Sequence, residues 1–344
     1  MTWIPLLLSD PSPLLRKLVL VNLLERSNDD SEVQELKKIS KADPLVVELA
    51  KLQREDGSWI KLGYPGEFNR EPIRATSYAL MKLGYLGFNQ DYPIVDKAVS
   101  YLFSRQQSDG GWPIVSSSDF GTDITNRFTM LPLQTAFPLL GLAMTGYASD
   151  KRCEQAYDWL LDKKLDDGTW PTARHDEVKG YQAGYRRMPN SRWGCRTNTT
   201  LALQCLSYHP TLRNSTHAKE GLDKLLARET RERDNIGHFL AKVLGFEQHR
   251  GSLTYHAKFD LALILNLCAR IGVDRTDTRV NAIITWLEEI QGQYGLWEYK
   301  PIPYISKWIT YEILWSIKNL SDDGWLSNQM RSPFQSYTRK PKRF

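Results

Sequence analysis

Residues 97–112, KAVSYLFSRQQSDGGW, hold the pattern that most restricts what this chain can fold into. Ala98, Tyr101 and Leu102 fall at helical spacing on one face, Gln106 follows four residues after Leu102, and Gly110 and Trp112 close the stretch. The pattern returns. Ala156, Trp159, Leu160, Gly168 and Trp170 repeat it with Lys164 where the Gln belongs, and Ala282, Trp286, Leu287, Gln291, Gly295 and Trp297 repeat it again. Gln53, Gly57 and Trp59 keep the second half only, because Glu48 takes the aromatic position; Asp323, Gly324 and Trp325 are a last fragment. Recurrence at roughly fifty-residue intervals marks stacked repeats, since one such unit cannot bury its apolar face alone. Within each unit the small and aromatic residues pack inward, and Asp-Gly supplies the positive φ that ends the helix. The Gln amide can then satisfy polar groups at a neighbouring helix end, with the Trp ring lying over it. This is a clamp rather than chemistry.

A second kind of helix, rich in small and apolar residues, alternates with the first. It is expected at residues 13–24, 72–83, 129–144, 196–207, 258–269 and 305–317, aligned on Thr76, Thr135, Thr199, Phe259 and Thr310. A helix apolar nearly all round is buried. The charged-faced helices, at 44–54, 92–107, 151–164, 215–228 and 277–290, form an outer layer. The result is an all-α, α/α toroid of about six inner and five to six outer helices, one domain over residues 1–330. Residues 25–42 hold a short helix or a loop. The fourth unit lacks Gly-x-Trp and runs into residues 229–251, where an extra short helix is expected.

Composition adds three constraints. Eleven Trp and sixteen Tyr suit a fold built on aromatic clamps or an aromatic-lined cavity. Arg331, Arg339, Lys340, Lys342 and Arg343, with no acid among them, account for the whole net charge of +5, so the body is neutral. Residues 331–344 read as a disordered basic tail with a weak attraction for an anionic membrane surface, a peripheral contact. Nucleic-acid binding finds no support. Cys153, Cys195, Cys205 and Cys268 form no disulfide-like framework, which points to a reducing, cytoplasmic compartment. Residues 3–8 are apolar, but Asp10 and Pro11 end the run before it could be a signal peptide or a membrane span.

Residues 97–112 match the QW motif of terpene cyclases, and the alternating helices resemble the barrel shared by squalene-hopene cyclases and the β subunits of protein prenyltransferases. The resemblance covers residues 44–325. It implies an isoprenoid substrate in a central cavity. It does not bring the family's chemistry with it: alkene protonation there uses a DxDD motif, and the nearest string here, residues 123–126 (DITN), holds one carboxylate, Asp123. The Asp166-Asp167 and Asp322-Asp323 pairs sit in helix-ending turns. The prenyltransferase zinc set has no match either; Cys195, His256, Asp260 and Cys268 are the nearest residues, and neither a metal nor another cofactor is expected.

The site is therefore expected in the lumen. The starts of the inner helices open on one mouth, where their dipoles favour anions, and Arg74, Arg127, Arg196 and Lys258 would hold an anionic head group such as a diphosphate. Tyr78, Phe137, Phe259, Trp308 and Tyr311 would line the apolar depth. Asp123, or His256 with Asp260 four residues on, would move protons. The partner is then a small apolar molecule with an anionic head, a prenyl diphosphate among the candidates, handled by a non-standard mechanism. A toroid that only binds a lipid or a protein is the alternative.

Overall fold

Four tryptophans fix the layers of this fold. The indole N–H of Trp59, Trp112, Trp170 and Trp297 donates to the carbonyl of the leucine ten residues earlier, Leu49, Leu102, Leu160 and Leu287. Each of these carbonyls lies in the last turn of its helix, where α-helical partners run out. The backbone N–H of the same tryptophans donates to the hydroxyl of Thr76, Thr135, Thr199 and Thr310 on the next helix. One residue per repeat thus ends an outer helix and anchors an inner one.

The computed structural model describes residues 3–63, 71–112, 132–172, 186–247, 256–327 and 332–334. The helices are α1 (Trp3–Leu8), α2 (Pro13–Leu18, continued by a π turn, Val19–Leu23), α3 (Ser31–Ile39), α4 (Pro44–Leu52), α5 (Pro72–Tyr85), α6 (Pro93–Ser104) and α7 (Pro132–Leu142, continued by a π turn, Ala143–Tyr147). There follow α8 (Lys151–Asp162), α9 (Arg196–Tyr208), α10 (Thr216–Leu226), α11 (His238–Leu244), α12 (Leu261–Ile271), α13 (Thr278–Ile290) and α14 (Ser306–Lys318). Among the described residues only isolated bridges stand in place of strands, and no helix is long and apolar enough to cross a membrane.

The inner helices close on themselves. α5 packs on α7, α7 on α9, α9 on α12, α12 on α14, and α14 on the π turn that continues α2. Lys17 Nζ of α2 reaches the Leu86 carbonyl beyond α5 at 3.2 Å and completes the circuit. Outside it, α6 backs α5, α8 backs α7, α10 backs α9 and α13 backs α12. The toroid expected from the repeats is present. α3 packs on α2 through buried Val33 and Leu36, so the 25–42 stretch contributes a helix.

The glutamines clamp neighbouring units. Nε2 of Gln53 and Gln106 donates to the Gly57 and Gly110 carbonyls of its own turn, and also to the Ile94 and Arg152 carbonyls in the first turn of the next outer helix, at 2.9–3.0 Å. Lys164 does the same work by charge, meeting Glu220 of α10 at 2.8 Å. Gly110 has φ +93°, and a Cβ there would fall 2.5 Å from the Gln155 carbonyl oxygen. Conformation and crowding both require glycine.

Two elements depart from the sequence reading. The inner helix expected from residue 258 begins at Leu261, because the Asp260 carboxylate caps it by accepting the Ala262 N–H at 3.2 Å. The extra short helix is α11, and it lies within the ring: its start is pinned to Asp260 and faces Ile309 of α14, while its other end packs on α5. Since α5 and α12 are opposite members of the ring, α11 crosses the lumen.

The Trp112 side chain is fully buried, so Trp112→Ala is expected to destabilise the protein by about 3 to 5 kcal/mol, read from the denaturation midpoint. An unchanged midpoint would remove the clamp from this account.

Candidate functional site: the lumen of the ring

The threonine that receives each Trp N–H marks the outward face of its inner helix. At about 100° per residue, positions two, five and nine after it point the opposite way. On α5 these are Tyr78, Met81 and Tyr85; on α7 Phe137; on α9 Gln204 and Tyr208; on α14 Glu312 and Trp315. The ring thereby presents an aromatic wall interrupted by a few polar groups.

Where the inner helices begin, the wall is aromatic and roofed by α11. Tyr78 and Phe137 lie 5.2 Å apart between ring centroids, and His256 stands 5.5 Å from Phe137 and 5.4 Å from Phe239 of the roof. Lys242 of α11 places its ammonium 5.9 Å from the Tyr78 ring centre. His256 is 1% exposed and neither ring nitrogen has a hydrogen-bond partner. Burial first, then the Lys242 charge, push its pKa down to about 3, so the imidazole is neutral and one nitrogen keeps a vacant lone pair.

Asp260 is committed elsewhere. Its carboxylate accepts the Gly237 N–H at 2.7 Å and the Phe239 N–H at 2.8 Å, besides that of Ala262. The i, i+4 spacing suggested a shared face with His256, but Asp260 is a cap and the helix starts after it, so the spacing has no helical meaning. The structure gives Asp260 the task of joining the roof to the wall.

At the basic end, guanidinium groups gather around Arg196. Arg196, at the first turn of α9, neighbours Arg228, whose pKa burial and then the Arg196 charge lower to about 10. Arg186 adds a third guanidinium through a bond to the Cys195 sulfur at 3.3 Å. Glu232 faces this group, bridging Arg228 and accepting the Phe259 and Asn235 N–H donors. Phe259 lies under Arg228, with the guanidinium carbon 5.7 Å from its ring centre. Arg74 is half-buried beside Glu71, whose carboxylate caps α5, and Lys258 is half-buried on the link into α12. Asp123 and Arg127 lie outside the described residues. Arg228 closes an outer unit, a position from which sequence alone gives no sign that it turns inward.

At the other end of the inner helices lies a polar network that the sequence reading missed. Glu312 of α14 accepts from the Tyr85 hydroxyl of α5 at 3.0 Å and from the Asn266 amide of α12 at 2.6 Å. Arg270 donates to Asn266 at 2.8 Å and stacks 4.0 Å from the Tyr208 ring centre of α9. Glu312 is surrounded by the ring yet keeps some accessible surface, as expected of a side chain that faces an internal space. Burial pushes its pKa up to about 7, against the opposing pull of Arg270 and the Tyr85 bond. Its sequence signal was a single carboxylate two residues after Thr310 in an otherwise apolar inner helix. Tyr311 sits beside it, its hydroxyl accepting from the Asn22 amide at 2.6 Å, and the Trp308 indole N–H, fully buried, has no partner. Among the described residues no group of three His, Cys, Asp or Glu side chains could hold a metal ion.

Two substitutions probe these assignments. Asp260→Ala strands the Gly237 and Phe239 N–H groups and is expected to cost about 3 kcal/mol of stability; an unchanged melting temperature would leave the carboxylate open to another role. The folded-state pKa of His256 is depressed from 6.5 to about 3, so its contribution to stability is present above pH 6.5 and is lost as pH falls toward 3. Denaturant midpoints across that window should show the protein losing up to about 1.4 kcal/mol per pH unit relative to His256→Leu, whereas a pH-independent difference would contradict the buried neutral imidazole.

Residues 21–185 match the model of the squalene-hopene cyclase C-terminal domain. The chain is 32% identical over 124 residues to the squalene-hopene cyclase of Zymomonas mobilis, 36% of this chain and 18% of that protein. It is 25% identical over 126 residues to the lanosterol synthase of Candida albicans, 36% of this chain and 16% of that protein. The match therefore spans about a fifth of the length of these curated relatives. Among solved structures, a variant of the type II terpene cyclase MstE from Scytonema, in complex with geranylgeranyl dihydroxybenzoate, is 15% identical over 83% of this chain and 97% of that one, at a TM-score of 0.35. Over residues 21–185 the family match, and the curated relatives with it, give this chain a similarity to the terpene cyclase-like superfamily.

Proposed function

We propose that the ring holds an isoprenoid, or a similarly long apolar molecule, with an anionic head group at the basic end of the lumen. The observation that carries this reading is the convergence of Arg196 and Arg228 on one carboxylate, Glu232, next to an aromatic wall, with Arg186 held nearby by its bond to the Cys195 sulfur. The surplus of positive charge is partly desolvated, since burial lowers the pKa of both Arg196 and Arg228. An anion brought there relieves that cost, and guanidinium forks suit the oxygens of a diphosphate. The names of the curated relatives, squalene-hopene cyclase and lanosterol synthase, support the isoprenoid class.

If the bound molecule is converted, His256 is the described candidate able to accept a proton, because its imidazole is neutral and unbonded. That mechanism differs from protonation of an alkene by a carboxylic acid. A toroid that binds without turnover is the second reading, and the engagement of Asp260 in capping favours it. Incubation with geranylgeranyl diphosphate and with squalene, followed by mass spectrometry, separates the two readings by the presence or absence of a product.

Arg196→Gln removes one guanidinium at the half-buried start of α9. It is expected to weaken geranylgeranyl diphosphate binding about tenfold or more with little change in melting temperature, as measured by titration calorimetry. Equal affinity for the variant and the parent would refute the anion site.

A further inference from the structure

A second cationic space lies at the end of the ring opposite the roof. Just past α5, residues 87–92 lead into α6, and between this link, α2 and α3 stands a cavity of about 380 Å³, the size of a small-ligand site. Lys17 of α2, Lys37 of α3 and Lys41, in the turn that follows α3, line this one space, with Asp91 as the single carboxylate of the lining. Lys17 Nζ is held at the wall by its bond to the Leu86 carbonyl, and Gly87, at φ +82°, makes room for it: a Cβ there would fall 3.1 Å from Nζ. Lys37 makes a long bond, 3.5 Å, to the Asn28 carbonyl, and among the described residues none of the three lysines has an ion-pair partner. Burial, and then the Lys37 charge, lower the pKa of Lys17 to about 8.

Helix ends explain part of this. Lys17 answers a carbonyl at the end of α5, and Lys37 sits in the last turn of α3, where a cation opposes the helix dipole. They do not explain three ammonium groups around one space with one carboxylate among them, since like charges raise the cost of one another. Three cations against one anion leave two positive charges, and a phosphomonoester brings roughly two negative ones at neutral pH. Ammonium groups on flexible stems suit a phosphate, whose oxygens can be met from several directions. Phe88 and Tyr92 line the same cavity with ring centroids 4.7 Å apart, and Lys17 Nζ lies 5.6 Å from the Phe88 ring centre. The rings set an apolar face beside the charges, which an inorganic ion would leave unused and the carbon skeleton of an ester would cover.

We propose that the cavity between α2, α3 and the link from α5 to α6 binds a phosphomonoester, with Lys17, Lys37 and Lys41 meeting the phosphate and with Phe88 and Tyr92 meeting the carbon skeleton next to it. The site is independent of the lumen, and its ligand need not be the molecule held there. Two sources share this chemistry: a soluble phosphate ester, and the headgroup of phosphatidic acid in a membrane. Ile39, 45% exposed and next in the chain to the lining residues Ser40 and Lys41, offers the second source an apolar contact.

The test titrates glycerol phosphate calorimetrically into the full chain, beside flotation with vesicles of phosphatidylcholine alone and of phosphatidylcholine with phosphatidic acid. Saturable binding is expected, weakened about tenfold or more by Lys17→Met and by Lys41→Gln. Lys41 is exposed, so its variant keeps the fold, and melting temperatures verify this for both. Arg196→Gln, at the lumen, should leave glycerol phosphate binding unchanged. Loss in Arg196→Gln with none in the lysine variants would put the phosphate at the arginines and overturn the proposal. Undiminished affinity in the folded lysine variants overturns it as well, as does failure to bind both the soluble ester and the phosphatidic acid vesicles. Equal affinity for inorganic phosphate would remove Phe88 and Tyr92 from the site. Capture by phosphatidic acid vesicles beyond that by phosphatidylcholine, lost in the same variants, makes the source a lipid; binding of the soluble ester without such capture makes it a free metabolite.

Discussion

A tryptophan that donates two hydrogen bonds, one from its ring and one from its backbone, is the constraint on which this structure depends. Its indole ends one helix and its backbone N–H fastens the next, through a threonine hydroxyl that appears at the same place in four inner helices. Because the bond is made outward, it orients the whole helix about its axis. The inward face is then no longer a choice of local packing, and any residue two, five or nine places on is delivered to the lumen.

The aromatic wall and its polar interruptions therefore come from one register. Tyr78 and Phe137 share the position two after the threonine, and so does Glu312. The first two build an apolar surface, while the third brings a carboxyl to the same radius and must be stabilised by Tyr85 and Asn266 from opposite sides. One framework thus supplies both the part of the lumen that resembles a hydrocarbon and the part that does not. The roof helix closes the basic end over the same space.

What was legible in the sequence was whatever repeats. The Gly-x-Trp turns, the threonine alignment and the alternation of layers could be read because each copy corroborated the others, and even the exceptional Lys164 stands where the clamp needs a polar reach. What was illegible was whatever occurs once. Glu312 acquires its meaning from partners more than two hundred residues away in one case, and Arg228 from a fold-back that no period predicts. The pairing of His256 with Asp260 failed for a local reason: a helical spacing was counted across a helix boundary, and the capping power of Asp260 had placed that boundary.

The shared use of Asp260 has a dynamic consequence. One carboxylate serves both the roof helix and a wall helix, so lifting the roof breaks its bonds to Gly237 and Phe239 together and leaves a buried carboxylate with the Ala262 N–H as its remaining partner among these three, which makes opening costlier than local fraying. Residence time and affinity are thereby separated. How tightly a molecule sits is set by groups that touch it, whereas how quickly it exchanges past the roof is governed by hydrogen bonds that never do.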